Sequence, residues 1–346
     1  MPGPLTGIRI VELAGIGPGP FCGMMLADHG AEVILVDRPG AGDDRRSPTG
    51  RYPSSPLLRS RTRIQLDLKS PDDVRQLRDL VKTADGLIEG FRPGVIERLG
   101  IGPDVLLADN PKLVIGRMTG WGQDGPYALA AGHDINYIAL SGVLGAIGRA
   151  GEKPVPPINL VGDFGGGAMM LAFGMVSGLL AVKNGAPGQV VDCAMTDGSA
   201  LLMAMMWGFR ATGMWSEEKG ANLLDSGAPF YDTYETADGG FVAIGSIEPQ
   251  FYALLRDKLD IASDPLFDAQ FDRAQWPAQK ERLTAIFKAK TRDEWCALME
   301  HTDVCFAPVL SMTEAAAHPH NIARGTFVEI DGVMQPAPAP RFSTAD

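Results

Sequence analysis

Short apolar runs alternate with helix-patterned stretches through most of the first part of this chain, and that alternation restricts the fold more than any other feature. Strand-like runs stand at "IRIVEL" (8–13), "AEVILVD" (31–37), "DGLIEGF" (85–91), "KLVIGRM" (112–118) and "QVVDCAM" (189–195). Helical patterns lie between them, for example over 20–29, 71–83 and 164–182. Strand and helix in turn predict a parallel sheet covered on both faces. After about Gly220 the pattern changes. "PFYDTYETADGGFVAIGS" holds two alternating strands around an "ADGG" turn, a hairpin, with helical segments following at 249–259, 277–290 and 292–301. The expectation is an α/β chain with a large parallel-sheet domain over 1–200 and 313–346, a linker over 201–224 and a smaller α+β domain over 225–312. The proline-rich "QPAPAPRF" reads as an extended strap.

One stretch needs a membrane test. Residues 164–182, "FGGGAMMLAFGMVSGLLAV", run without a charge and are nominally long enough to span a bilayer. The stretch also carries five glycines and sits between Asp163 and a strand, which predicts a buried helix of a soluble protein. Gly174 and Gly178 would let a neighbour approach it closely. A net charge of −11 argues against nucleic-acid or anionic-membrane binding, so an anionic ligand needs a local basic patch. The N-terminus lacks a secretory pattern, and four scattered cysteines read as reduced thiols. Both point to the cytoplasm.

The loop "GIGPGP" after the first strand imitates a dinucleotide fingerprint, but its spacing is GxGxG with Pro18 and Pro20 interleaved. Proline has no amide hydrogen, so the loop lacks two donors where a pyrophosphate needs them. The strand–turn–helix reading survives; the phosphate cradle does not. A basic patch follows instead. Arg38, Arg45, Arg46, Arg51, Arg59, Arg61 and Arg63 face only Asp43 and Asp44, a local balance of +5. That run is either a solvated loop or a landing site for a multiply phosphorylated ligand, whose oxygens match guanidinium forks. Arg92, in "GFRPGV", stands just past a strand's carboxyl end, where open α/β sheets bind ligands.

Among the five histidines, His29 closes a helix, and His318 and His320 read as loop residues without a third metal ligand. His133, in "AGHDINY", stands at a helix start, as a proton-transfer group or as a capping pair with Asp134. Asp163, in "LVGDFGGG", has a structural alternative as the N-cap of the apolar helix. At that position its carboxylate would point at free backbone amides of use to an enolate oxygen. Met195, Met203, Met205, Met206 and Met214 suggest an adaptable apolar wall, or plain core.

Taken in order from Leu5 to about Phe342, "ELAGIGPGP", "VDRPG", "GFRPGVIERLGIGP", "RMTGWGQDGP", "AGHDINYIALSG", "PPINLVGDFGGG", "GQVVDCAMTDG" and "IEPQFY" resemble the alpha-methylacyl-CoA racemases of the family III CoA-transferase superfamily. The resemblance implies a Rossmann-like large domain that binds coenzyme A, a smaller domain joined by two linkers, and an interlocked homodimer. It carries His133 and Asp163 over as an acid/base pair, with Glu248 and Asp134 as orienting acids. It places Arg38 at the adenosine phosphates and Arg92 at the diphosphate, and matches Arg59, Arg61 and Arg63 loosely to a basic run. The implied reaction is racemisation of 2-methylacyl-CoA thioesters by two-base proton transfer through an enolate. Coenzyme A is part of the substrate, and neither a metal nor a further cofactor is expected. The competing expectation is a CoA-transferase with Asp163 as nucleophile. His133 separates the two, because transferases resembling this chain usually carry a non-basic residue before that aspartate.

Overall fold

The computed structural model describes residues 3–40 and 55–343. Six strands, β1 (Arg9–Leu13), β2 (Glu32–Asp37), β3 (Thr62–Gln65), β4 (Gly86–Glu89), β5 (Val114–Thr119) and β6 (Gln189–Ala194), form one parallel sheet in the order β3-β2-β1-β4-β5-β6. The order reverses between β1 and β4. Successive residues of β1 point to opposite faces and find apolar cover on both: Ile10 enters one cluster with Cys22, Leu26 and Met175, and Val11 and Leu13 enter another with Leu77, Leu87 and Ile115. Four of the five anticipated strands start one or two residues later than expected. β3 was not anticipated at all, because "TRIQ" is too polar to read as a sheet strand and pairs only along β2.

The apolar stretch is a π-helix, Leu160–Met169, continuing into an α-helix, Met170–Lys183. By length and composition it could cross a membrane. One face packs on the sheet: Leu171, Met175 and Leu179 are buried, and Gly174 and Gly178 lie close over Val191 of β6 and Val114 of β5. Its opposite face does not match the expectation of a fully buried helix. Leu160, Met169, Phe173, Val176 and Leu180 are all exposed, Phe173 by 74%.

The chain divides into two compact units, Met1–Val143 with Pro156–Ala204 and Gly325–Asp346, and Leu144–Val155 with Met205–Arg324. The second holds an antiparallel sheet of β7 (Tyr231–Glu235), β8 (Phe241–Gly245) and β9 (Phe306–Pro308), the first two forming the hairpin around "ADGG". Its core gathers Phe230, Trp276, Phe287 and Trp295. This division differs from the expected one at three places, the first being the expected linker 201–224, of which 205–224 belong to the second unit. Segment Leu144–Val155 joins the second unit, where Arg149 bonds Asp232 and Thr233. The return to the first unit starts at Gly325, because Glu314 pairs with Arg292 and His318 approaches Glu300 at 3.4 Å.

The C-terminal segment begins as a hairpin, β10 (Phe327–Ile330) and β11 (Val333–Pro336), and continues as the expected strap. His29 meets the Ala339 carbonyl at 3.1 Å and packs edge-on against Phe342. Arg59 donates to Gln335 Oε1 and to the Pro336 carbonyl.

Candidate active site

Where the strand order of an open parallel sheet reverses, the loops leaving the two adjoining strands part and open a crevice. Here those loops leave β1 and β4. Leu13, Ala14 and Ile16 come from the first, and Phe91, Arg92 and Pro93 from the second. With Trp121, Ala128, His133, Tyr137, Asp163 and Met195 they line a cleft of about 620 Å³. A second cleft of about 760 Å³ shares Leu13, Ala14, Ile16 and Phe91 and ends at Arg38 and Lys69. The two form one groove over the carboxyl edge of the sheet.

His133 and Asp163 reach the first cleft from different elements. His133 is the N-cap of the helix Asp134–Leu140, and its own amide donates to Asn136 Oδ1 at 3.0 Å. Asp163 is not the N-cap of the apolar helix; Asn159 is, and Asp163 lies in the first π-helical turn. The correction changes its environment. The Asp163 amide donates to Asp134 Oδ1 at 2.7 Å, so it is not free for an enolate. Only a glycine at 162 permits that bond, since a Cβ there would stand 2.4 Å from Asp134 Oδ1. Asn159 Nδ2 donates to Asp163 Oδ2 at 3.1 Å. The same oxygen lies against Gly17, whose φ of +71° and missing Cβ allow the approach.

Burial pushes the Asp163 carboxyl above the usual aspartate range. The Asn159 bond and His133 pull it back, and the neighbouring Asp134 adds to the rise. Asp134 is itself buried, and its Oδ2 has no hydrogen-bond partner among the described residues. Tyr137 donates its hydroxyl to the Gly132 carbonyl. Its pKa is raised, by burial first and then by Asp163, while Arg92 opposes the rise. The cleft thus joins an exposed imidazole and a half-buried carboxyl whose pKa burial raises, two groups of a kind that can carry protons.

The basic residues divide. Arg38 and Arg92 are exposed and line the groove. Arg59, Arg61 and Arg63 do not line it. Arg59 is buried against Asp28, with side chains 7% and 5% exposed, and Arg61 against Glu12, at 1% and 0%. Arg61 also donates to the carbonyls of Leu57 and Pro20. A Cβ at 23 would strike both members of that pair, which is why a glycine stands there. Arg63 meets Asp37 Oδ2 at 2.8 Å. Spacing alone could not separate solvent-facing guanidiniums from those taken up by acids on β1, β2 and the first helix. Arg45, Arg46 and Arg51 lie outside the described residues.

Three lining or adjoining residues were missed. Lys69 follows β3, the unanticipated strand. Asn159 precedes Asp163 by four residues, a helical spacing that could have paired them. Tyr137 follows His133 by the same interval. Of the five methionines named, Met195 lines the cleft, joined by Met118, while Met205 and Met214 are exposed in the second unit. Glu248 is the N-cap of the helix Pro249–Lys258 in the second unit, where its charge helps raise the Cys305 thiol pKa after burial.

Known proteins resemble this chain over nearly its whole length. The family model for CoA-transferase family III matches residues 5–345. Alpha-methylacyl-CoA racemase of Mus musculus is 48% identical over 97% of this chain and 85% of its own length. Succinyl-CoA–D-citramalate CoA-transferase of Chloroflexus aurantiacus is 33% identical over 95% of this chain and 84% of its own. A solved structure of a CAIB/BAIF family protein from Brucella suis superposes with a TM-score of 0.83 at 27% identity, covering 100% of this chain and 94% of that one.

Proposed function

This chain belongs to CoA-transferase family III, and from that premise we propose that it inverts the α-carbon of 2-methylacyl-CoA thioesters. The observation that carries the reading is His133 in one cleft with Asp163. A nucleophilic aspartate needs no imidazole beside it, whereas a two-base racemase needs two proton carriers. One group removes the α-proton, the electron pair moves into the thioester carbonyl, and the other group delivers a proton to the opposite face. No electron leaves the substrate, so the step needs no redox cofactor, and the two side chains carry the protons.

The residues take these roles by position. Arg38 and Lys69 meet the adenosine phosphates at one end of the groove, and Arg92 meets the diphosphate on the way to the cleft. The amide of Asp163 is held by Asp134, so it is not assigned to the enolate oxygen. Asp134 and Asn159 orient Asp163. Glu248 is assigned as an orienting acid on the strength of its place in "IEPQFY". A second copy of the chain covers the exposed apolar face of the helix 160–183, making a homodimer.

The test uses each pure epimer of a 2-methylacyl-CoA in heavy water. His133→Ala and Asp163→Ala should each abolish inversion but retain slow α-deuterium uptake into one epimer, a different epimer in each variant. Equal residual exchange of both epimers would rule out the two faces. An acyl group trapped on Asp163 by hydroxylamine would assign the chain to the transferases instead.

A further inference from the structure

Arg117 does not itself line the groove, yet it holds both ends of the turn that carries Arg92. It stands in β5, directly across from Glu89 of β4. Its Nε donates to Glu89 Oε1 at 2.8 Å, and its Nη1 meets Glu97 Oε1 at 2.9 Å. The other oxygen of Glu89 accepts the Phe91 amide at 2.8 Å. Phe91 is the residue before Arg92, and Glu97 belongs to the short helix Val95–Arg98 just after it. The turn closes on itself through Val95 N–H to the Arg92 carbonyl at 3.1 Å.

The side chains of Arg117 and Glu89 are 8% and 0% exposed. Well-packed apolar residues usually stabilise such a place as well as a buried ionic cluster or better. Burial raises the Glu89 pKa, while Arg117 and the Phe91 amide pull it back. A gain in fold stability therefore does not account for it. A gain in geometry does: a bidentate guanidinium bridging two carboxylates fixes direction as well as distance, and the segment it spans is 89–97.

We propose that Arg117, through Glu89 and Glu97, is a positioning residue that presets the Arg92 turn for the phosphates of coenzyme A. The inference rests on the placement of Arg92 at the diphosphate given above. It assigns to Arg117 no contact with substrate.

The test compares coenzyme A with pantetheine, which lacks the nucleotide and its phosphates, by calorimetry on the full-length protein. Glu97 is 42% exposed, so Glu97→Gln opens half of the clamp with little risk to folding. It should weaken coenzyme A roughly three- to tenfold, part of the worth of a charge-assisted contact, with pantetheine affinity unchanged. In an Arg92→Ala background the same change should have no further effect on coenzyme A. Arg117→Lys should reproduce the Glu97→Gln loss, because an ammonium cannot reach both carboxylates as a fork does. An equal fold-loss for both ligands, an undiminished loss when Arg92 is absent, or no loss at all would each overturn the positioning role. If Arg92→Ala alone leaves coenzyme A affinity unchanged, the placement of Arg92 fails first and the inference falls with it.

Discussion

Asp163 shows how a single side chain trades stability for chemistry. Its folded pKa is raised, chiefly by burial. Between the unfolded value, about 3.9, and the folded one, the native state keeps a proton that the unfolded chain has released. Stability from this group is therefore greatest at low pH, falls as pH rises through that window, and stays lower above it. Asp163→Asn cannot ionise and escapes the loss. Its thermal midpoint should exceed that of the native protein at pH 7 and converge with it near pH 3, while racemisation is lost. A native protein that is the more stable of the two at pH 7 would contradict the direction of the shift. If Asp163 is the base for one epimer, as proposed, the same rise should place the acid limb of that epimer's activity profile above the range of an ordinary aspartate.

At the scale of elements, arginines of one short segment serve opposite ends. Arg38 follows β2 and stays exposed at the groove, whereas Arg59 bridges Asp28 of the first helix and the C-terminal strap from a buried position. Arg38→Ala and Arg92→Ala should each weaken coenzyme A by roughly 1.5–3 kcal/mol, the worth of a hydrogen bond to a charged group, without lowering the melting temperature. Arg59→Ala should do the reverse. Leaving Asp28 buried without its partner costs about 3–5 kcal/mol of stability, seen as a lowered denaturant midpoint, while the remaining folded protein binds coenzyme A normally. Loss of affinity without loss of stability in Arg59→Ala would return that residue to the ligand.

For the whole molecule, the helix 160–183 is an element whose apolar surface the single chain leaves partly uncovered. Its buried face is held by Leu171, Met175 and Leu179, and its outer face presents Phe173, Val176 and Leu180 to solvent. Contiguous apolar surface of that kind marks an interface. The protein should sediment as a dimer at nanomolar concentration, and Phe173→Glu should shift it toward monomer with the secondary structure intact. A native monomer of normal activity would remove this face as the interface.

The apolar runs of β1, β2, β4 and β5 were legible because strands buried on both faces are apolar at most positions, a constraint each segment satisfies alone. "GIGPGP" likewise excluded a phosphate cradle by the chemistry of proline itself. His133 and Asp163 were legible as residues able to carry protons, although their pairing in one site came from the family resemblance and not from the residues themselves. That pairing depends on strand order, which sets the crevice between β1 and β4 and brings residues 13–16, 91–93, 133 and 163 to it from four segments. The fates of Arg38, Arg59 and Arg61 depended on it too. Each guanidinium has the same local chemistry, and only packing decides which one faces water and which one meets Asp28 or Glu12.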